Sequence, residues 1–123
     1  MKKELFRKFF NEYYTENKNE RQMYDLVFPE KAKGDTGLVL CIHGGGWVEG
    51  KKDGYTESLF QVCEEKGVAA ACINYRYVSE NICFDDLLDD ITSALSAIKA
   101  KGEKHGVIFN KALLTGISAG GHL

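Results

Sequence analysis

A serine framed by glycines, Gly116-Ile117-Ser118-Ala119-Gly120, has the spacing G-x-S-x-G. In a nucleophile elbow the serine sits on a strained turn between a strand and a helix. Glycines flank it because side chains there would clash with the neighbouring strand and helix. The apolar stretch within Lys111–Thr115 supplies the strand that this reading requires. Ser118 then projects at the carboxyl end of its strand, and the N–H of Ala119 points the same way. A second segment, His43-Gly44-Gly45-Gly46-Trp47, follows another apolar run, Leu38-Val39-Leu40-Cys41-Ile42. Its three glycines carry no Cβ, so the backbone can take positive φ and turn its N–H groups toward a ligand. Donors aimed at a point where negative charge develops form an oxyanion hole. Ordinary turns use glycine too, but seldom with a histidine before it and a tryptophan after. A nucleophile and an oxyanion hole together point to acyl transfer.

Hydropathy patterning indicates the elements that would hold these groups. Unbroken apolar runs over 38–42 and 68–73 mark strands buried on both faces, as in a parallel sheet. The second is expected to run on through Asn74-Tyr75-Arg76-Tyr77. Met23 to Phe28, bounded by Pro29, is a short strand. Residues 56–66 form a helix with Leu59, Phe60 and Cys63 on its apolar face and Gly67 as its stop. Phe84, Leu87, Leu88, Ile91, Leu95 and Ile98 mark an amphipathic helix ending near Gly102. Leu5, Phe6, Phe9, Phe10, Tyr13 and Tyr14 recur at helical spacing, which predicts a helix over 3–15. A loop over 16–22 and a turn over 30–37 follow from their polar and glycine content. Alternating strands and helices indicate an α/β fold with a mostly parallel sheet. The length suits one domain over 1–123, with 1–22 as a helix and loop leading into the sheet.

Composition narrows the function. Lys and Arg number 16 against 18 Asp and Glu, for a net charge of −2, so no basic excess favours nucleic acid. No apolar run approaches the roughly 18 residues of a membrane span. Lys2, Lys3, Glu4, Arg7 and Lys8 interrupt any signal-peptide core. Cys41, Cys63, Cys72 and Cys83 form no C-x-x-C and no zinc spacing. Cys41 and Cys72 read as small core hydrophobes, which suits a reducing, cytoplasmic location. Gly45 and Gly50-Lys51 nearly match a phosphate loop, but Lys52 stands where a magnesium-binding hydroxyl belongs and Glu49 would repel phosphate. Asp85, Asp86, Asp89 and Asp90 read as a solvated helix N-terminus, favoured by the helix dipole, rather than a metal site. No metal or organic cofactor is expected.

Residues 43–47, Asn74-Tyr75-Arg76 and 116–121 resemble the N-terminal half of an α/β-hydrolase. The group is that of esterases and lipases similar to hormone-sensitive lipase and bacterial acetyl esterases. The resemblance covers roughly residues 24–123. It implies Ser118 as the nucleophile and the N–H groups of Gly45, Gly46 and Ala119 as oxyanion donors. His43, Gly44 and Trp47 would organise the loop, and Gly116 and Gly120 would shape the elbow. The substrate it implies is a small acyl ester. In this group the catalytic acid and histidine follow the nucleophile, so the fold is expected to be truncated after the elbow. His105 precedes the third parallel strand, at the far end from Ser118. His122 lies one helical turn after Ser118, but an elbow serine points away from the helix it precedes. A packing role is expected for it. The expected function is that of a serine carboxylic-ester hydrolase. The alternative is an inactive fragment or pseudoenzyme keeping only an ester-binding cleft. The strand 111–115 would be an open apolar edge, so that the chain self-associates or awaits a C-terminal half.

Overall fold

The apolar runs at 38–42 and 69–73 become the centre of a five-stranded sheet. A computed structural model describes residues 5–123. The strands are β1 (Phe6–Tyr13), β2 (Met23–Pro29), β3 (Gly34–Ile42), β4 (Ala69–Ile73) and β5 (Val107–Gly116). Their order across the sheet is β1-β2-β4-β3-β5. β3 pairs in parallel with β4 and β5, while β2 runs antiparallel to β1 and β4. Parallel neighbours need long crossovers. Helix α1 (Asp53–Lys66) joins β3 to β4, and α2 (Phe84–Lys104) joins β4 to β5. α1 packs on one face against Val27, Cys41, Ala70 and Cys72 through Phe60 and Cys63. α2 packs on the other face, where Leu87, Ile91, Ala94 and Ile98 meet Leu26, Leu40, Ala71 and Ile73. All five residues of β4 are buried, as an unbroken apolar run demands. The sheet is mixed, with β1 and β2 forming its antiparallel side and β4, β3 and β5 its parallel side, in keeping with the expected α/β-hydrolase fold.

The expected helix over 3–15 is a strand from Phe6 to Tyr13; residues 3 and 4 lie outside the described residues. The helical spacing was produced by apolar residues on both faces of β1. Phe6 and Phe10 meet the α1 side, Phe10 at 6.1 Å from the Phe60 ring. Phe9 meets Phe28 on the α2 side, at 5.9 Å. A bulge between Phe9 and Glu12 then resets the alternation, with Asn11 at a φ of 55°. Positions 6, 9, 10 and 13 therefore mimic a helical stripe without forming one.

Three other expectations shift. The turn over 30–37 gives way to β3 at Gly34, because Gly34 and Asp35 pair with Val107 and Ile108. The strand over 68–73 ends at Ile73 instead of running through Tyr77. Past that point β3 has turned away into the glycine loop. Asn74 N still donates to Met23 O at the start of β2, but the Asn74 side chain, Arg76 and Tyr77 bond to loops and α2. α2 continues past Gly102 to Lys104. Gly102 is an interior helical residue whose missing side chain makes room for the Phe109 ring, which an added methyl would approach within 2.6 Å.

Candidate active site

Two adjacent parallel strands deliver the two motifs to one place. Ile42, the last residue of β3, pairs with Gly116, the last of β5. The glycine loop and the serine turn thus leave the same end of the sheet side by side. Ile117 N donates to Ile42 O at 3.2 Å. Ser118 stands between β5 and the short helix α3 (Ala119–His122) with φ 54° and ψ −113°. That backbone conformation costs an L-residue about 1–3 kcal/mol and persists only where the surroundings impose it. The glycines impose it here. A methyl group on Gly116 would overlap the Gly120 carbonyl, and one on Gly120 would overlap Ile42 O. Gly44 closes the gap from the other loop. A methyl there would lie 2.6 Å from Ile117 O and 3.4 Å from Ser118 Cβ.

Gly45, Gly46 and Trp47 all have positive φ, at 132°, 60° and 67°. The Gly45 carbonyl accepts from Val48 N and Glu49 N, folding the loop back on itself. Among the described residues, the N–H groups of Gly45, Gly46 and Ala119 meet no acceptor. An added methyl on Gly46 meets nothing within 4 Å, so that corner of the loop faces open space. Ser118 is exposed, and its hydroxyl makes no hydrogen bond among the described residues.

His43 is buried and engaged at both ring nitrogens. Nδ1 lies 2.7 Å from Gly44 O and Nε2 lies 3.2 Å from an Arg21 guanidinium nitrogen. Its ring stacks on Tyr75 at 4.2 Å. Burial, aided by the charge of Arg21, pushes its pKa down to about 4 against a smaller opposing effect of Gly44 O. His43 is therefore neutral at physiological pH. His122 packs edge-on against Trp47 at 5.3 Å and Phe84 at 5.7 Å. His105 sits against Phe9 and Phe28, before the start of β5. None of the three reaches the Ser118 hydroxyl.

The comparisons with known proteins follow this geometry. A family model, BD-FAE, matches residues 24–123. The chain belongs to the BD-FAE family. It is 34% identical over 90 residues to "Probable carboxylic ester hydrolase LipM" of Mycobacterium tuberculosis, covering 73% of this chain and 21% of that protein. It is 27% identical over 103 residues to isoprenylcysteine alpha-carbonyl methylesterase ICME of Arabidopsis thaliana, covering 84% and 24%. Esterase B from Lactobacillus rhamnosis superposes on 95% of the chain with a TM-score of 0.79 at 26% identity. The chain spans 38% of that structure and about a quarter or less of these two curated relatives. The α/β-hydrolase fold and the esterase kinship are thus shared with proteins considerably longer than 123 residues.

Arg21 and Asp90 support the site in this BD-FAE chain without having been assigned to it from sequence, and Tyr75 and Arg76 were marked only as part of the Asn74-Tyr75-Arg76 motif. Arg21 lies in the expected loop 16–22, yet it also reaches Gly50 O at 3.0 Å and Tyr75 O at 3.2 Å. Tyr75 OH donates to His43 O at 2.8 Å. Asp90 is not part of a solvated helix end. It is buried, accepting from Arg76 N and Gln22 Nε2 at 2.8 Å each and pairing with the Arg76 guanidinium at 3.0 Å. Asp85 and Asp89 are exposed, and Asp86 caps α2 by accepting from Cys83 N. Partner residues far away in sequence decide which of four neighbouring aspartates is buried. Among the described residues, no group of three or more His, Cys, Asp or Glu could hold a metal. A cavity of about 500 Å³ lies between β1 and α1 rather than at Ser118. Its buried polar groups, Asp25, Lys52 and Thr56, are bonded to one another, so it is not the candidate site.

Proposed function

We propose that this chain carries the nucleophile and oxyanion hole of a serine carboxylic-ester hydrolase acting on small acyl esters. The observation behind this is the placement of Ser118, in its strained turn, against a glycine loop with unpaired N–H groups. In this reading Ser118 Oγ attacks the ester carbonyl, and the resulting oxyanion accepts from Gly45, Gly46 and Ala119. Each such donor contributes about 10²–10³ to kcat in enzymes of this type. The serine proton passes to a general base, and water later releases the acyl group. His43 is unsuited to that role, since both its ring nitrogens are occupied. In the group this chain resembles, the acid and the histidine follow the nucleophile in sequence. No metal or organic cofactor enters the scheme. The four free thiols suit the cytoplasm, and among the described residues no helix is long and apolar enough to cross a membrane.

The unpartnered Ser118 hydroxyl favours a second reading, an inactive chain that retains only an ester-binding cleft. Turnover of p-nitrophenyl acetate by the wild type and by Ser118→Ala separates the two. We expect the 123-residue chain to turn over well below the typical enzyme value of about 10 s⁻¹, above the buffer rate, and to lose that activity in Ser118→Ala. Equal rates for both proteins would remove the nucleophile assignment. A rate near the enzyme value, lost in the variant, would remove the inactive reading.

A further inference from the structure

We propose that Arg21 is a positioning residue for the oxyanion loop, holding the His43 proton on Nδ1 and through it the direction of the Gly45 N–H. The functional part of this inference rests on the ester-hydrolase reading; the tautomer part does not.

Every guanidinium nitrogen is a donor and none has a free lone pair to accept with, and arginine stays charged at any working pH. The 3.2 Å contact from Arg21 Nη2 to His43 Nε2 is therefore a hydrogen bond only when Nε2 is unprotonated. That leaves the imidazole proton on Nδ1, 2.7 Å from Gly44 O, which can only accept. The two contacts select the same neutral tautomer. An imidazolium would turn an N–H toward the guanidinium, and the alternative tautomer would also set the Nδ1 lone pair against a carbonyl.

The link from His43 to the oxyanion donors is the peptide plane. In a trans peptide the C=O of one residue and the N–H of the next point in opposite directions. Holding Gly44 O against the His43 ring thus aims Gly45 N–H away from it, out of the loop. Arg21 acts at both ends of this loop, because the same nitrogen also reaches Gly50 O at 3.0 Å; with Tyr75 O at 3.2 Å, its two hydrogens are shared among three acceptors. The guanidinium carbon lies 4.1 Å over the Tyr77 ring, which restrains it. The loop ends are already in contact, since a methyl on Gly50 would fall 2.8 Å from His43 Nδ1. The groups facing the His43 ring are thus the Arg21 cation, the stacked Tyr75 phenol and backbone carbonyls.

The test is long-range ¹H–¹⁵N spectroscopy of the full chain labelled at histidine, which separates protonated from bare ring nitrogens. His43 is assigned by its missing signals in His43→Asn. At pH 7 the wild type should show His43 with Nδ1 protonated and Nε2 bare. Arg21→Gln, whose amide can still donate, should keep that pattern. Arg21→Glu places an acceptor at Nε2, so Nε2 should become protonated and the Gly45 and Gly46 amide signals should move. Wild-type His43 protonated on Nε2, or an Arg21→Glu chain with an unchanged pattern, would overturn the proposal. Should Arg21→Glu not fold, Arg21→Met decides. Mixed tautomers support the proposal and an unchanged Nδ1–H form overturns it. Equal ester turnover by wild type and Ser118→Ala would remove the hydrolase reading and leave these spectra standing.

Discussion

Ser118 and His43 both depart from the average in their local chemistry, and each departs for a reason visible in its neighbours. Ser118 holds a left-handed backbone because Gly116 and Gly120 let β5 and α3 approach too closely for any other path. His43 is neutral because it is buried beside a fixed cation. An unfolded histidine takes up its proton near pH 6.5, whereas folded His43 resists until about 4. As the pH falls through that window the unfolded state binds the extra proton, so the folded state loses stability, on the order of 3 kcal/mol. Below about 4 both states are protonated and this contribution stays lost. Urea unfolding at pH 7 and pH 4.5 should show the drop in the wild type and a smaller one in His43→Asn, whose amide cannot ionise. An equal drop in both would assign the effect to other groups.

At the scale of elements, the edge strand β1 is held by a buried ion pair that its own sequence does not announce. Asn11 N, at the bulge, donates to Asp25 Oδ1 at 2.8 Å. Lys52, just before α1, reaches Asp25 at 3.0 Å, Asn11 Oδ1 at 2.6 Å and Asp53 at 2.8 Å. The Lys52 and Asp25 side chains are 2% and 4% exposed, so neither charge has water to fall back on. Removing one partner of such a pair costs about 3–5 kcal/mol, because the other is left buried and uncompensated. Lys52→Met should therefore lower stability by about that amount. Lys101, paired with Glu12 on the open side of β1, has 24% and 39% exposure. Exposed pairs of this kind contribute about 0–1 kcal/mol, so Lys101→Met should be nearly silent. Similar urea midpoints for the two variants would contradict the role given to Lys52.

For the molecule as a whole, the decisive feature is the unpaired edge of β5. Leu113 and Leu114 are 67% and 52% exposed, and Ile117 beyond them is 46% exposed. Clefts of about 330 and 170 Å³ flank the strand, both touching Leu38 and Ala112. An apolar edge with free N–H and C=O groups recruits further strands unless it is charged or covered. Only Lys111 interrupts this one. The 123-residue chain by itself should therefore associate through β5 with a second copy. Sedimentation velocity across a concentration series should show species larger than monomer. Leu113→Lys combined with Leu114→Lys should restore the monomer. A monodisperse wild type at high concentration would mean that this edge is protected in solution.

Much of the candidate site's geometry was legible because close backbone approach demands glycine. Side chains at Gly44, Gly45, Gly116 and Gly120 would overlap neighbouring backbone, so 44–46 and 116–120 are marked in the residues themselves. The buried strands were legible too, since an interior strand must be apolar on both faces. The order of the sheet, and with it the approach of Gly44 to Ser118, came only with the fold, because nothing local says that β3 and β5 are neighbours. β1 was misread because a bulge and two apolar faces reproduce helical spacing. Arg21, Lys52 and Asp90 were illegible for one shared reason. A charged residue is buried only if a partner distant in sequence meets it, and that meeting is decided by tertiary structure alone.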